Sequence, residues 1–131
     1  MMTLTQAHTA LLERVSQFTG IDQSRILYPQ SKQPFTVPTS GLWCSVDILA
    51  SQSLISGIAD APQTRRTSII QITCYSRPNT GLNALNGLVD AWLSHLEYYQ
   101  TGQLESLNGE VVQDENTDFI MRYIRVPYRI N

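Results

Sequence analysis

One strand and one helix dominate the pattern of hydrophobic and polar positions along the chain. From Thr67 to Ser76 the side chains alternate with a period of two and β-branched residues are frequent, which predicts a strand. Pro78 ends this pattern because proline cannot donate to a strand ladder. Apolar residues then recur at helical spacing, as Leu82, Leu85, Val89, Trp92, Leu93, Leu96 and Tyr99. Thr101 and Gly102 predict the end of this helix, and a strand that leads directly into an amphipathic helix predicts that the helix packs back on the sheet.

The other segments complete the pattern of a small mixed domain. Helical spacing predicts a first helix from Thr3 to Phe18, and three prolines make residues 21–40 a connector. Strands are predicted at Gly41–Ala50, at Val111–Val112 after an Asn-Gly turn signal, and at Thr117–Ile130. The expected fold is α+β: an antiparallel or mixed sheet of about four to five strands with two helices packed on it, over one domain at residues 1–131.

A long polar segment separates the strand at Gly41–Ala50 from the strand at Thr67–Ser76. A loop of this length between two strands is uncommon unless it has a function. It contains Leu54, Ile55 and Ile58, so two interpretations stand. Its tip folds back on its own domain, or residues 51–65 form a protruding arm whose apolar side chains contact a neighbouring molecule.

Charge narrows the possible functions. Charged residues make up only 15% of the chain and the net charge is -2, which disfavours a dedicated nucleic-acid binder. A surface so poor in charge is either neutral and polar or partly covered by partners. The sequence contains no run of 18 apolar residues, so no membrane span is predicted. The N-terminus lacks the basic start of a signal peptide, so synthesis in the cytoplasm is expected.

The residues carry no recognisable catalytic motif. No phosphate-binding loop, zinc-protease motif or nucleophile elbow is present, and His8 and His95 both lie on predicted helices. Cys44 and Cys74 fall on apolar-facing strand positions, which favours a buried reduced pair; a disulfide between neighbouring strands is the alternative. The acidic segment Asp114–Asp118 is expected to be a solvated loop, and its spacing does not match a calcium-binding loop. We therefore expect no enzyme, no cofactor and no metal.

The order and lengths of the elements resemble those of phage tail terminators, also called minor tail or tail completion proteins. The residues that carry the resemblance are the Tyr28–Phe35 connector, Gly41–Trp43 at a strand start, the long loop, Arg65–Tyr75, the Pro78–Gly81 turn and a helix containing Leu88–Asp90. The chain departs from the family pattern where Arg65, Arg66 and Thr67 replace a glycine-containing stretch before the central strand.

This resemblance implies a hexameric ring of identical subunits. Such a ring caps the finished tail tube, stops its polymerisation and joins the head-side connector, while DNA passes through the lumen without specific binding. The protein would then be part of the virion, at the head-proximal end of the tail. Its partners would be other copies of itself, the tail tube protein and the connector or neck protein, with no membrane.

A ring needs head-to-tail contacts between two different patches. The expected interface residues are Leu54, Ile55, Ile58, Asp60, Arg65, Arg66, Arg77, Phe119, Met121 and Tyr123. The three arginines are expected to form interface ion pairs with carboxylates such as Asp60 or Glu105. The alternative is that they are exposed and contribute little stabilisation. In a ring, the acidic Asp114, Glu115 and Asp118 would line the lumen. A lumen lined by basic residues would instead bind the phosphates of the DNA and hinder its passage.

Two other functions remain open on the sequence alone. One is a different head-tail joining component, such as a neck or stopper protein of similar size. The other is a small-molecule-binding domain, since two-layer α+β folds host many functions. A pocket lined by Trp43, Tyr75 and Trp92 would favour the second.

Overall fold

The computed structural model describes residues 4–28, 37, 41–50, 54–55, 64–78, 82–102, 104–116 and 118–130. Within these residues there are two α-helices, α1 (Leu4–Ser16) and α2 (Asn83–Leu96), and a short 3-10 helix at Gln23–Arg25. The strands are β1 (Ile26–Leu27), β2 (Trp43–Ala50), β3 (Leu54–Ile55), β4 (Thr64–Ser76), β5 (Gln100–Thr101), β6 (Leu104–Ser106), β7 (Glu110–Glu115) and β8 (Ile120–Ile130).

The strands form a mixed sheet in the order β1-β2-β4-β8-β6-β5, with β7 also on β8 and β3 on the start of β4. β1 runs parallel to β2, and every other described pair is antiparallel. The α+β class is therefore confirmed, but the expected four to five strands were too few. The extra strands β1, β3, β5 and β6 have only two or three residues each, too short for alternation to reveal them.

The two longest strands, β4 and β8, form the centre of the sheet. They pair from Arg66 opposite Ile130 to Ser76 opposite Ile120. One face of this pair is fully apolar where Ile72 meets Ile124 and Ile70 meets Val126, and all four side chains are fully buried. This is the face on which the helices pack, so we call it the helix face and the opposite one the open face.

The helices meet each other through aromatic stacking and reciprocal hydrogen bonds. The rings of Phe18 and Trp92 stack with centroids 3.7 Å apart. The Arg14 guanidinium donates two hydrogen bonds to the His95 carbonyl, at 3.1 and 2.9 Å, and the His95 ring Nε2 lies 2.6 Å from the Arg14 carbonyl oxygen. These bonds join the last turns of the two helices; the Arg14 carbonyl oxygen also accepts from the Gln17 amide at 3.2 Å.

Helix α2 ends earlier than its apolar spacing predicts. It stops at Leu96, and Tyr98 takes a positive φ of 56°, so Tyr99 lies beyond the helix and not on its apolar face. Gln100–Thr101 pair with β6 across a turn at Gly102, whose φ is 57°. The Thr101-Gly102 signal is therefore a hairpin turn, because glycine marks a left-handed turn position whichever element precedes it.

The Asn-Gly signal before β7 also has a different role from the one expected. Residues 107–109 link β6 and β7, which both pair with β8 on the same edge, so they are not a hairpin turn. Gly109 lies so close to the helix and sheet that a Cβ there would be 2.9 Å from Leu93 and 3.0 Å from Val126. Its amide donates to the Glu97 carboxylate at 2.6 Å, which ties the link to the end of α2.

Candidate interaction surfaces

The central strand β4 extends beyond both of its long neighbours. β2 ends with Ala50 opposite Ser68, and β8 ends its pairing with Ile130 opposite Arg66. Thr64 and Arg65 continue the strand and pair with β3, within the described residues. The predicted loop at 51–65 thus has a strand-paired base, and the predicted start of the strand at Thr67 was three residues late.

The described residues include only some of the predicted arm residues. The backbones of Leu54 and Ile55 form β3, in register with Arg65 and Thr64. Ile58 and Asp60 lie outside the described residues. Arg65 and Arg66 lie near the start of β4 and Arg77 directly follows its end, as expected.

The open face carries an aromatic cluster, formed by Trp43, Tyr75 and Phe119. Register places Trp43 opposite Tyr75, and their rings stack with centroids 3.9 Å apart. Phe119 packs edge-on against both rings, at 5.7 and 5.6 Å. The Arg77 guanidinium carbon lies 4.6 Å from the centre of the Phe119 ring, which is cation–π geometry, so this arginine is packed on the cluster.

The structure brings four of the predicted interface residues to this end of the sheet. Arg77 and Phe119 belong to the contacts above, Met121 is opposite Tyr75 in register, and Tyr123 is opposite Thr73. Sequence reasoning did not join Trp43 and Tyr75 to them. The signal was present, because alternation puts both rings on the less apolar face of adjacent strands.

A polar row crosses the middle of the open face. Asp47, Gln71, Arg125 and Glu110 occupy consecutive strands in register. Arg125 Nε donates to the Gln71 side chain at 3.0 Å and lies near Glu110, with 3.9 Å between the closest charged atoms. Such exposed pairs contribute little stability, so this row fixes side-chain positions more than it holds the fold.

No element within the described residues covers the open face as the helices cover the helix face. Both helices pack on the other face, and Leu49 and Val112 remain 42% and 39% exposed here. The aromatic residues Phe119 and Tyr123 of this face were expected to contact a neighbouring subunit. Within the described residues they cover one another instead, since Trp43 and Met121 are nearly buried at 7% and 8%.

The carboxylate expected to meet an interface arginine has a partner in its own chain. Glu105 is opposite Arg129 in the register of β6 and β8, and the two side chains form an ion pair. Sequence reasoning passed over Arg129 because the β6 strand that brings Glu105 beside it has only three residues.

The acidic segment is half strand and half loop, contrary to the expected loop. Asp114 and Glu115 are the last residues of β7, and Asp118 lies in the following turn, where its amide donates to Asn116. Asp114 accepts a bond of 3.4 Å from the Tyr123 hydroxyl on the open face. Neighbouring strand residues point to opposite faces, so Glu115 lies on the other side of the sheet.

A second polar feature lies at the N-terminal end of α2. An open pocket of about 430 Å³ is lined by Leu82, Gln113, Asp114, Glu115, Ile120 and Arg122. Arg122 is only 8% exposed and its Nη1 donates to the Met121 carbonyl oxygen at 3.1 Å. Sequence reasoning missed it, although a period of two from Ile120 and Ile124 places residue 122 on the helix face.

The two cysteines lie side by side in the core. Cys44 and Cys74 are register partners on the helix face, both fully buried and free, with their sulfur atoms 3.9 Å apart. The hydrogen bond with Cys44, and then burial, raise the pKa of the Cys74 thiol well above its ordinary value. The same hydrogen bond lowers the pKa of the Cys44 thiol. Because both sulfur atoms are fully buried and out of reach of a substrate, the pair has the character of core packing.

The three aromatic residues that would have lined a small-molecule pocket do not meet. Trp43 and Tyr75 lie on the open face, whereas Trp92 is fully buried in the core on the helix face. Among the described residues, no group of three or more His, Cys, Asp or Glu side chains is placed to hold a metal ion. No helix within the described ranges is long and apolar enough to cross a membrane.

Comparisons with known proteins establish the fold alone. No family model matches the chain, and no curated protein matches it either. A solved structure that carries no functional name superimposes with a TM-score of 0.72 at 14% sequence identity, covering 100% of this chain and 97% of the other. At that identity the likeness indicates a shared architecture over the whole chain.

Proposed function

We propose that this chain is a phage tail terminator: a structural virion protein that assembles into a ring, a hexamer by family resemblance. The ring caps the tail tube, ends its polymerisation and offers the surface to which the head-side connector binds. The protein is made in the host cytoplasm and is incorporated at the head-proximal end of the tail. DNA passes through the ring without specific binding.

The observation that carries the proposal is the extension of β4 beyond β2 and β8. The base of the 51–65 segment, Leu54–Ile55 paired with Thr64–Arg65, lies beyond the ends of β2 and β8, a position that suits a contact with a neighbouring molecule. The backbones of apolar Leu54 and Ile55 form one strand of that base, and a strand edge with apolar residues is suited to pairing or packing with a second chain.

The open face supplies the second patch that a head-to-tail ring requires. Its exposed apolar positions, Leu49 on β2 and Val112 on β7, lie on either side of the row Asp47–Gln71–Arg125–Glu110. We assign the arm of one subunit to the open face of the next, with the aromatic cluster at the far end of that face. Arg77 contributes through the cluster, whereas Arg65, Arg66 and Asp60 act at the arm.

The candidate lumen residues lie at the end of β7 and in the turn that follows it. Asp114 and Glu115 point to opposite faces of the sheet, and both line the open pocket next to Leu82. We keep Asp114, Glu115 and Asp118 as the candidates for the lumen. An acidic wall there would let DNA slide, because basic side chains would bind its phosphates.

The arm is tested by replacing Leu54, Ile55 and Ile58 together with serine. The variant is expected to keep the far-UV circular dichroism of the wild type, because the arm lies beyond the paired core of the sheet. Native mass spectrometry across a wide concentration range should show the ring for the wild type and only monomer for the variant. Unchanged assembly of the variant would remove the arm from the interface.

A matched control uses three exposed apolar residues that lie elsewhere: Val37, Leu82 and Val111, which are 40%, 44% and 40% exposed. Their replacement with serine likewise changes three aliphatic side chains and should leave the ring intact. Loss of the ring in both triple variants would point to general surface hydrophobicity. Leu49→Arg tests the open face in the same assay and should also give monomer.

A neck or stopper protein remains the alternative, since it too would form a ring. The two differ in their effect on the tail tube. A terminator stops the growth of tubes formed by the tail tube subunit, whereas a neck protein leaves their length unchanged.

A further inference from the structure

Strand β7 lies at an edge of the sheet, and its outer side is open. Among the described strands it pairs only with β8, and each of its six residues is exposed. Proteins usually protect such an edge with proline, lysine, a bulge or a covering element, because its unpaired N–H and C=O groups can pair with another chain. β7 contains neither proline nor lysine. This edge is therefore able to accept an added strand.

The hairpin that joins β7 to β8 shows which backbone groups point outwards. The Asn116 amide donates to the Phe119 carbonyl oxygen at 2.9 Å. In an antiparallel pair the positions that bond to the partner strand alternate along the chain. Even-numbered residues of β7 therefore bond to β8, in the register observed. The outward-pointing N–H and C=O groups are those of Val111, Gln113 and Glu115.

Two carboxylates limit the open part of this edge. The Gly109 amide donates to the Glu97 carboxylate at 2.6 Å, and the Glu115 amide donates to the Asp114 carboxylate at 2.8 Å. Both amides belong to odd-numbered residues, as the alternation requires. The open segment between them is Val111–Gln113. The lumen candidates Asp114 and Glu115 lie past its end.

Charge decides which strand fits this edge. β7 carries three carboxylates, Glu110, Asp114 and Glu115, and no basic residue, so a second β7 would place like charges opposite each other. The arm base, which we define as β3 with residues 64–67 of β4, has the opposite charge. Its residues 54–55 and 64–67 include two arginines and no carboxylate. Among the described strands β3 pairs only with β4, so its outer edge is open too.

We propose that β3 of one subunit adds to the Val111–Gln113 edge of β7 in the next subunit, so that the sheet continues across the contact. This contact rests on the proposed function, which places the arm on a neighbouring subunit, and it names the strand edge that receives the arm. It is a head-to-tail contact, because β3 and β7 are different strands. The pairing uses the main chain, so a change of the Val111 side chain alone leaves it intact.

Gln113→Pro tests the edge, because proline removes an N–H group that points outwards and leaves the hydrogen bonds between β7 and β8 in place. The variant should keep the far-UV circular dichroism of the wild type. In native mass spectrometry the concentration at which half of the subunits are assembled should rise by about tenfold or more, since every contact loses a hydrogen bond. Gln113→Ser and Val111→Ser keep the backbone donor and should assemble like the wild type.

A mixing experiment tests the arm base as the partner of β7. One variant carries Arg65→Glu and Arg66→Glu, and the other carries Glu110→Lys and Glu115→Lys. Each variant alone should remain monomeric, because its arm base and its β7 edge then carry like charges. An equimolar mixture should form a ring in which the two variants alternate, since both kinds of contact then join opposite charges.

Assembly of Gln113→Pro at the wild-type concentration would overturn the strand addition, and a mixture that stays monomeric would overturn the arm base as its partner. If the triple serine variant of the arm is monomeric while Gln113→Pro assembles normally, the arm remains an interface and only its contact with β7 is wrong. A wild type that stays monomeric at every concentration contradicts this contact, and the terminator proposal is then judged by its effect on tube length.

Discussion

Truncation of Trp92 gives the most quantitative test of the fold. This side chain is fully buried, stacks on Phe18 at 3.7 Å and lies edge-on to His95 at 6.4 Å. It therefore joins α1 to α2 as well as filling the core beneath α2. Trp92→Ala removes both functions at once, whereas Trp92→Phe keeps an aromatic ring at the same place.

The expected loss follows from the buried area. A buried tryptophan hides roughly 200 Å², which at about 25 cal/mol per Å² corresponds to about 5 kcal/mol. Alanine retains a small part of that, and core aromatic truncations cost roughly 3–5 kcal/mol. A domain has about 5–15 kcal/mol of stability in total, so Trp92→Ala should remove a large share of it.

The assay is a urea titration followed by far-UV circular dichroism, because the substitution removes a fluorescent probe. With a slope of about 2 kcal/mol/M, the midpoint should fall by roughly 2 M for Trp92→Ala. Trp92→Phe should lie between that variant and the wild type. A loss below about 1 kcal/mol for the alanine variant would show that the interface between the helices does not depend on this residue.

Three further predictions concern the helix ends, the thiols and the link before β7. Burial lowers the pKa of His95, so the stability that neutral His95 contributes is full above the ordinary pKa of about 6.5 and is lost as the pH falls towards the lowered value. The melting temperature should therefore fall less steeply between pH 7.5 and 5 for His95→Gln than for the wild type or a His8→Gln control. Parallel curves of melting temperature against pH would contradict this. Cys44 and Cys74 are fully buried and should resist a thiol reagent in the native protein and react fully in guanidinium chloride, whereas rapid native labelling would place them at the surface. Gly109→Ala should cost about 1–3 kcal/mol in a urea titration because its Cβ would clash with the side chains of α2 and β8, and a neutral result would show that the link can shift.

The long elements could be predicted from the sequence because their patterns persist over several residues. β4 spans 13 residues and β8 spans 11, so their alternation is repeated often enough to identify both faces. The burial of Cys44 and Cys74 on one face followed from the same rule. Both helices were located for the equivalent reason, although the stop signal predicted at Thr101 lies five residues after Leu96, where α2 ends.

The short elements could not be predicted because their positions depend on tertiary pairing. None of the six residues of β7 is buried, so no apolar face marks it beyond its two valines. β5 and β6 exist because they pair with each other and with β8. Single-sequence patterns carry no information on such pairing.

The candidate surfaces were predicted in part. Phe119, Met121 and Tyr123 were expected on one face of the last strand, and the structure adds Trp43 and Tyr75 beside them. Such a cluster depends on which strands are neighbours in the sheet, and the order of the strands along the chain does not determine their order in the sheet. Arg122 was missed for a different reason, since a charged residue on an apolar face is easily taken as an interruption of the pattern.

The length of tail tubes measures the proposed function most directly. Tail tube subunits would be polymerised with and without this protein and their lengths measured by negative-stain electron microscopy. The terminator proposal predicts shorter tubes that each end in a ring, with the Leu54, Ile55 and Ile58 serine variant inactive. Tubes of unchanged length with bare ends would contradict it, provided that this protein is present at a concentration well above that of the tube ends.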